Sequence, residues 1–314
     1  EHLEWSMGSL FLANIGFWGS LGFYNAYLPE IAPKEEHDKL GARGYVMGYI
    51  GSVLLLLICL GLILGIGNHL TKWAFVLVAV WWVSWAQPAF RRLPTRSQEH
   101  SPSGNLLAQG FKELRMVAGE LKGQRHLTRY LTSFFIMSMA VQTIMLMATS
   151  FGIKEVQLTS SELIVATLLV QFVAIPGAFL VAWLSGQIGN VKTLGCCILA
   201  WCAVCVYAYF FATTKGGFYI AAGVIGFMMG GTQSLNRTTY SKLLPTTQDN
   251  ASYFSFYEVL EKGGLVIGMF GWGYIEGATG SMRNSILALV GLFLLAFIAL
   301  SRMPRSHRGH LVTG

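Results

Sequence analysis

The stretch YVMGYIGSVLLLLICLGLIL, residues 45–64, decides the fold. It contains no charged side chain. At about 1.5 Å per helical residue, a run of roughly 20 residues crosses the ~30 Å hydrocarbon layer of a bilayer. Such a run must be helical in lipid, because hydrocarbon offers no partner to a free backbone N–H or C=O. Eight further apolar blocks lie around it: Met7 to Leu28 before it, then Trp73 to Phe90, Tyr130 to Phe151, Leu163 to Leu184, Thr193 to Ala212, Phe218 to Gln233, Tyr253 to Ile275 and Ile286 to Ser301. The blocks ending at Gln233 and starting at Ile286 are short, so their helices are expected to reach into the flanking polar residues. Composition agrees: hydrophobic residues make up 54% of the chain and charged residues 12%, about half the charge of a soluble globular protein. The fold class is therefore all-α, a polytopic transmembrane helical bundle with about nine spans.

Basic residues set the expected orientation, because short cytoplasmic loops are rich in Lys and Arg. One set of alternate joints holds 17 of the 22 Lys and Arg, from Lys34, Lys39 and Arg43 to Arg302, Arg305 and Arg308. The opposite set holds Lys72, Lys154, Lys215 and Arg283, and Lys262 lies inside a span. The first set is expected in the cytoplasm together with the C-terminus. The net charge of +7 then reflects topology. Nothing in the chain pairs a basic patch with aromatic residues or zinc spacing, so nucleic acid is not an expected partner.

The longest joint, 91–128, divides the chain. A Ser- and Pro-containing stretch from Pro94 to Gly104 leads into Leu107, Phe111, Leu114, Val117 or Ala118, and Leu121. That spacing lays one apolar stripe on a helix, and a connector lying on the membrane surface is the expectation. The organisation reads as three spans in 1–90, a cytoplasmic linker in 91–128, six spans in 129–304 and a cytoplasmic tail in 305–314.

Three segments carry a more specific resemblance. They are LFLANIGFWGSLGFYNAYLPEIA (10–32) with GARGYVMGYIGSVLLLL (41–57), GGTQSLNRTTYSKLLP (230–245), and FSFYEVLEKGG (254–264). Together they resemble the vacuole effluxer family of the major facilitator superfamily. The resemblance implies a twelve-helix fold in which the first three spans here correspond to helices 4–6, so three further spans are expected ahead of Glu1. It also implies secondary active transport of a small solute by alternating access. In eukaryotic members that solute is an amino acid leaving the vacuole; here a bacterial plasma membrane is the expected location. Relatives in the superfamily carry an acidic and basic gating loop between helices 8 and 9. Its counterpart, LSGQIGNVKTL (184–194), keeps Gly189 and Lys192 but has Gly186 where the acid would stand.

Charged side chains inside a membrane cost roughly 2.5–3.5 kcal/mol each, so Glu258, Glu261 and Lys262 mark a functional region or a structural ion pair. Glu258 and Lys262, four residues apart, share one helix face, with Tyr257 beside them. Glu258 is a candidate for titration or for binding a substrate amine. Polar residues in other spans are expected to turn inward: Asn14, Tyr24 and Asn25 in the first, Gln142 in the fourth, Gln171 in the fifth, and Gln233, Asn236 and Arg237 at the end of the seventh. These are the candidate substrate pathway. Glycine pairs at Gly44 and Gly48, and at Gly226 and Gly230, are expected to admit close helix packing, and Pro176 removes one backbone hydrogen bond.

No catalytic residue, metal site or cofactor is expected. Cys196, Cys197, Cys202 and Cys205 lie among apolar residues, where Cys behaves as a small hydrophobe, and no metal-ligand, nucleophile-elbow or phosphate-loop motif occurs. The expected partners are a small-molecule solute, a coupling proton or other ion, and the lipid bilayer. The alternative class is a non-transporting membrane scaffold or inactive transporter fragment.

Overall fold

A computed structural model of the chain describes residues 3–93, 106–245 and 249–303. The Pro94–Gly104 stretch and the expected tail, 305–314, lie outside the described residues. The helices are α1 (Leu3–Ala26), α2 (Leu28–Ile31), α3 (His37–Ile66), α4 (Thr71–Arg92), α5 (Leu106–Lys122), α6 (Arg125–Lys154), α7 (Ser160–Ile188), α8 (Asn190–Phe211), α9 (Lys215–Leu243), α10 (Asn250–Thr279) and α11 (Met282–Ser301). Apart from α2 and α5, each is long enough for the hydrocarbon layer. Seven are also apolar enough to cross a membrane on composition alone. The other two are α1 and α10, and α10 is the helix that carries Glu258, Glu261 and Lys262.

The two short blocks extend as expected, to 29 residues in α9 and 20 in α11. Two joints depart from expectation. The linker between spans is shorter than 91–128, because α4 runs to Arg92 and α6 begins at Arg125. The helix holding residues 45–64 begins at His37, well before the apolar run. Its polar start is stabilised by partners on α7, α8 and α9.

Successive long helices run in opposite directions. One end of the molecule gathers the basic joints, here the basic end, and the other is the far end. Glycines set the tightest contacts. A Cβ on Gly226 would strike the backbone of Val170, one on Gly230 that of Ala174, and one on Gly177 that of Phe227. This locks α7 against α9. Gly264 and Gly268 serve likewise where α10 meets α6 at Ser138, Met139 and Thr143. The expected role of Gly44 and Gly48 is corrected: a Cβ on Gly48 would meet nothing, and one on Gly44 would meet the Tyr24 hydroxyl and Arg237. These two glycines face a cavity rather than a helix backbone. Gly230→Leu is expected to destabilise the protein by about 3 kcal/mol or more, since overpacking against backbone leaves no rotamer to escape into. Gly223→Leu on the same helix, with open space around it, is the control. Thermal unfolding of detergent-solubilised protein checks this, and equal losses in both variants would refute the packing account.

Trp201 and Phe293, both fully buried, stack at 5.9 Å between α8 and α11. Tyr130 donates to the Asn236 carbonyl at 2.7 Å and Ser133 to the Ala296 carbonyl at 2.8 Å, tying α6 to α9 and α11. The five cysteines are free thiols. No group of three or more metal-ligating side chains forms among the described residues. The stripe expected on α5 is half realised. Val117 and Leu121 are buried, while Phe111 is exposed. Glu120 accepts from the Tyr253 hydroxyl at the start of α10, so α5 docks on that helix.

The first three long helices meet the last six along α1–α10 and along α3 against α7 and α9. Gly22 of α1 faces Ser255 of α10. The functional residues lie on these seams.

Candidate pathway between the two bundles

A cavity of about 550 Å³ lies between α1 and α3 on one side and α6, α9 and α10 on the other. A second, of about 450 Å³, lies toward the far end. They share Tyr49, Ser52, Met145 and Met229 and so stack into one path. The far chamber is mainly apolar, lined by Met147, Phe151, Phe218 and Trp272 among others. Polar and charged groups concentrate in the other.

Helical periodicity explains which groups reach it. On α10, Tyr257, Glu258, Glu261 and Lys262 recur at the three- and four-residue spacing of one face, and all four line the cavity. On α1, Phe17, Trp18, Leu21, Tyr24 and Asn25 do the same. Of the candidates from sequence, Tyr24, Asn25, Gln142, Gln233, Asn236, Arg237, Tyr257, Glu258 and Lys262 meet here. Gln171 lines the far chamber instead. Asn14 does neither: it is exposed and donates to the Leu10 carbonyl one turn back, at 2.9 Å. A self-contained bond of that kind removes the need to turn inward.

The groups form a network across the seam. Asn25 is its centre: its Nδ2 donates to Glu258 Oε1 at 2.8 Å, and its Oδ1 accepts from Arg237 Nη1 at 2.9 Å. One amide from α1 thus bridges an acid on α10 and a base on α9, and all three residues are buried. The Arg237 guanidinium lies 4.9 Å from the Tyr45 ring centre and 5.3 Å from that of Tyr24. Lys262 Nζ lies 3.1 Å from Glu261 and 3.6 Å from Glu258 Oε2, and 3.7 Å from the Trp18 ring centre. The Lys262 side chain is a quarter exposed, so its contact with the Trp18 face contributes nearer the exposed-site value of about 0.5–1 kcal/mol. Gln142 donates to Glu261. Gln233 approaches the Met145 sulfur at 3.2 Å. Tyr257 stacks on Phe134 and Tyr240 at 4.2 and 4.9 Å, which fixes the α10 face.

A second cluster ties α3 to α7, α8 and α9 at the basic end, below this network. Asp38, at the head of α3, receives Thr238 at 2.6 Å and Asn190 at 2.9 Å on Oδ1, and Lys242 at 2.7 Å and Ser185 at 2.9 Å on Oδ2. Asn190 Oδ1 also accepts from Lys242 at 3.2 Å. Farther out, Lys34 donates to the Leu244 carbonyl at 3.3 Å. The expectation for the gating loop is corrected in part. Gly189 makes the turn between α7 and α8 at φ 87°, where a side chain would be strained. Lys192, however, is exposed, and it is Lys242 that forms the ion pair. Next to Gly186, Ser185 and Asn190 at the α7–α8 joint donate to Asp38 of the other bundle. Sequence reasoning missed Asp38 because it sits in a polar joint. It also left Trp18, Tyr45 and Glu261 out of the pathway; the one-face spacing on α1 and α10 was the signal for Trp18 and Glu261.

Comparison with known proteins places this geometry. The chain is 28% identical over 314 residues to the uncharacterized MFS-type transporter YxiO of Bacillus subtilis, covering 97% of this chain and 72% of that protein. It is 26% identical over 296 residues to autophagy-related protein 22 of Yarrowia lipolytica, covering 82% of this chain and 50% of the relative. The chain thus spans about half the length of that fungal relative. Among solved structures, the fucose:proton symporter FucP of E. coli superposes with a TM-score of 0.64 at 15% identity, covering 90% of this chain and 72% of FucP. An outward-facing bacterial homologue of the iron transporter ferroportin gives 0.57 at 12% identity, covering 88% and 66%. These likenesses show the major facilitator fold. The sequence profile described as "Vacuole effluxer Atg22 like" matches residues 2–310, and the chain belongs to that family of major facilitator transporters.

Proposed function

We propose that this chain forms the central pathway of a secondary active transporter that moves a small solute, an amino acid in the first instance, by alternating access coupled to a proton. The observation that carries the reading is the Asn25 bridge, which joins Arg237 and Glu258 across the bundle seam at the floor of a solute-sized cavity. A cavity between two bundles, lined by charged groups, is the kind of site around which alternating access works. Glu258 and Glu261 offer carboxylates to an ammonium group, and Arg237 offers a guanidinium to a carboxylate. Glu258 is also the candidate proton carrier, since its Oε2 has no hydrogen-bond partner.

With 17 of 22 Lys and Arg in one set of joints, the basic end is assigned to the cytoplasm. The closure at Asp38 then corresponds to a state shut toward the cytoplasm, with the apolar chamber toward the other side. The test is flux of a panel of labelled amino acids into proteoliposomes under an imposed pH gradient. Saturable, gradient-responsive uptake is expected. Uptake indifferent to pH would remove the proton, and no uptake of any amino acid by folded protein would remove the substrate class.

A further inference from the structure

We propose that Arg237 is the receptor for a carboxylate on the transported solute, and that the Asn25 amide is the placeholder which that carboxylate displaces. This rests on the transport reading above and assigns chemistry to one side of the cavity.

The Arg237 guanidinium is buried in the cavity wall, near the rings of Tyr24 and Tyr45. One edge donor, Nη1, goes to a neutral amide oxygen, and Nε has no partner. Among the described residues no carboxylate forms an ion pair with it. The two cavity acids, Glu258 and Glu261, lie beside Lys262 instead. A desolvated cation is costly without an anion to oppose it. The guanidinium fork, with its parallel N–H groups, fits a carboxylate better than any other side-chain cation does. Asn25 Oδ1 now supplies a weaker, uncharged substitute for one carboxylate oxygen.

Asn25 belongs to α1 and Arg237 to α9, on opposite sides of the seam, so the bond can part without unfolding either helix. When it parts, Glu258 loses the donor on Oε1, because the same amide holds both. Arrival of a carboxylate at Arg237 is thereby transmitted to Glu258. The rest of the solute points along the cavity toward Met145 and Met229 at the rim that the two chambers share, which would take an apolar body. The volume of about 550 Å³ of the cavity that holds Arg237 and Asn25 is in the range of small-molecule sites. The recognised solute is a carboxylate with an apolar remainder.

The experiment uses the full-length gene product in detergent for binding and in proteoliposomes for flux. Probes are a panel of apolar amino acids, their N-acetyl derivatives, which keep the carboxylate, and their C-terminal amides, which lose it. Thermal stabilisation and competition are expected from the acids and N-acetyl acids and not from the amides. R237K keeps the charge but loses the fork, and is expected to raise the half-saturation concentration roughly tenfold or more, in line with loss of a charge-assisted bond. The comparison of acids with amides in the unaltered protein needs no variant, so misfolding of R237K cannot decide the matter. Amides that compete as well as acids would overturn the assignment while leaving transport intact, and so would an R237K protein with unchanged affinity. Carboxylates that bind through Arg237 while no amino acid is transported would overturn the amino-acid reading and keep the receptor. No binding of any carboxylate overturns the receptor.

Discussion

Glu258→Gln is expected to abolish uptake driven by a pH gradient while leaving solute exchange in the absence of a gradient. The reasoning starts from the two carboxylate oxygens. Oε1 accepts from Asn25 at 2.8 Å, a bond that Gln can keep through its own carbonyl oxygen. Oε2 faces Lys262 at 3.6 Å and has no hydrogen-bond partner, so it is the position free to take a proton. The amide resembles the protonated acid in shape and charge but cannot release a proton. A carrier locked in that form completes the protonated half of its cycle and cannot return empty. Exchange of labelled for unlabelled solute uses only the half it retains. A hydrogen bond to a charged group is worth about 1.5–3 kcal/mol, so any part of solute affinity that depends on the negative charge would fall roughly tenfold to a hundredfold. Paired measurements of gradient-driven uptake and of exchange in proteoliposomes check this. Loss of both would make Glu258 a binding or structural group, and retention of both would remove it from the mechanism.

The spans were legible because the bilayer imposes length and apolarity on every segment that crosses it, and residues 45–64 announce both. The face of α10 was legible because a fixed helical period converts spacing into direction, which places Glu258 and Lys262 together without knowledge of the rest of the fold. The same reasoning failed at Asn14, whose polar group is satisfied by its own helix at Leu10. It failed at Asp38 for the opposite reason. In sequence, His37 and Asp38 belong to a charged joint. In the fold they are buried, because donors from Ser185, Asn190, Thr238 and Lys242 converge on one carboxylate from about 150 to 200 positions away. No local pattern encodes that convergence.

Asp38→Asn is expected to open the basic end. The carboxylate gathers four donors, and Lys242 is buried against it. Removing one partner of a buried ion pair costs about 3–5 kcal/mol, because the other charge is left uncompensated. Asp38 sits on α3 and its donors on α7, α8 and α9, so much of that cost falls on the closed arrangement alone. A state that separates the bundles returns Lys242 to water and escapes it. A bias of even 3 kcal/mol shifts such an equilibrium by roughly 150-fold. Ser241, buried beside Lys242 with its hydroxyl unpartnered, is a suitable reporter. In a background with the native cysteines replaced, Ser241→Cys is expected to resist a membrane-impermeant thiol reagent applied from the basic side. Adding Asp38→Asn is expected to raise its labelling rate by tenfold or more, on the order of the bias above. Adding Lys242→Met as well should restore part of the protection, since the stranded charge is then gone and an apolar side chain fills its place. A labelling rate unchanged by Asp38→Asn would mean that closure is held by helix packing along the seam, with the carboxylate cluster a passenger.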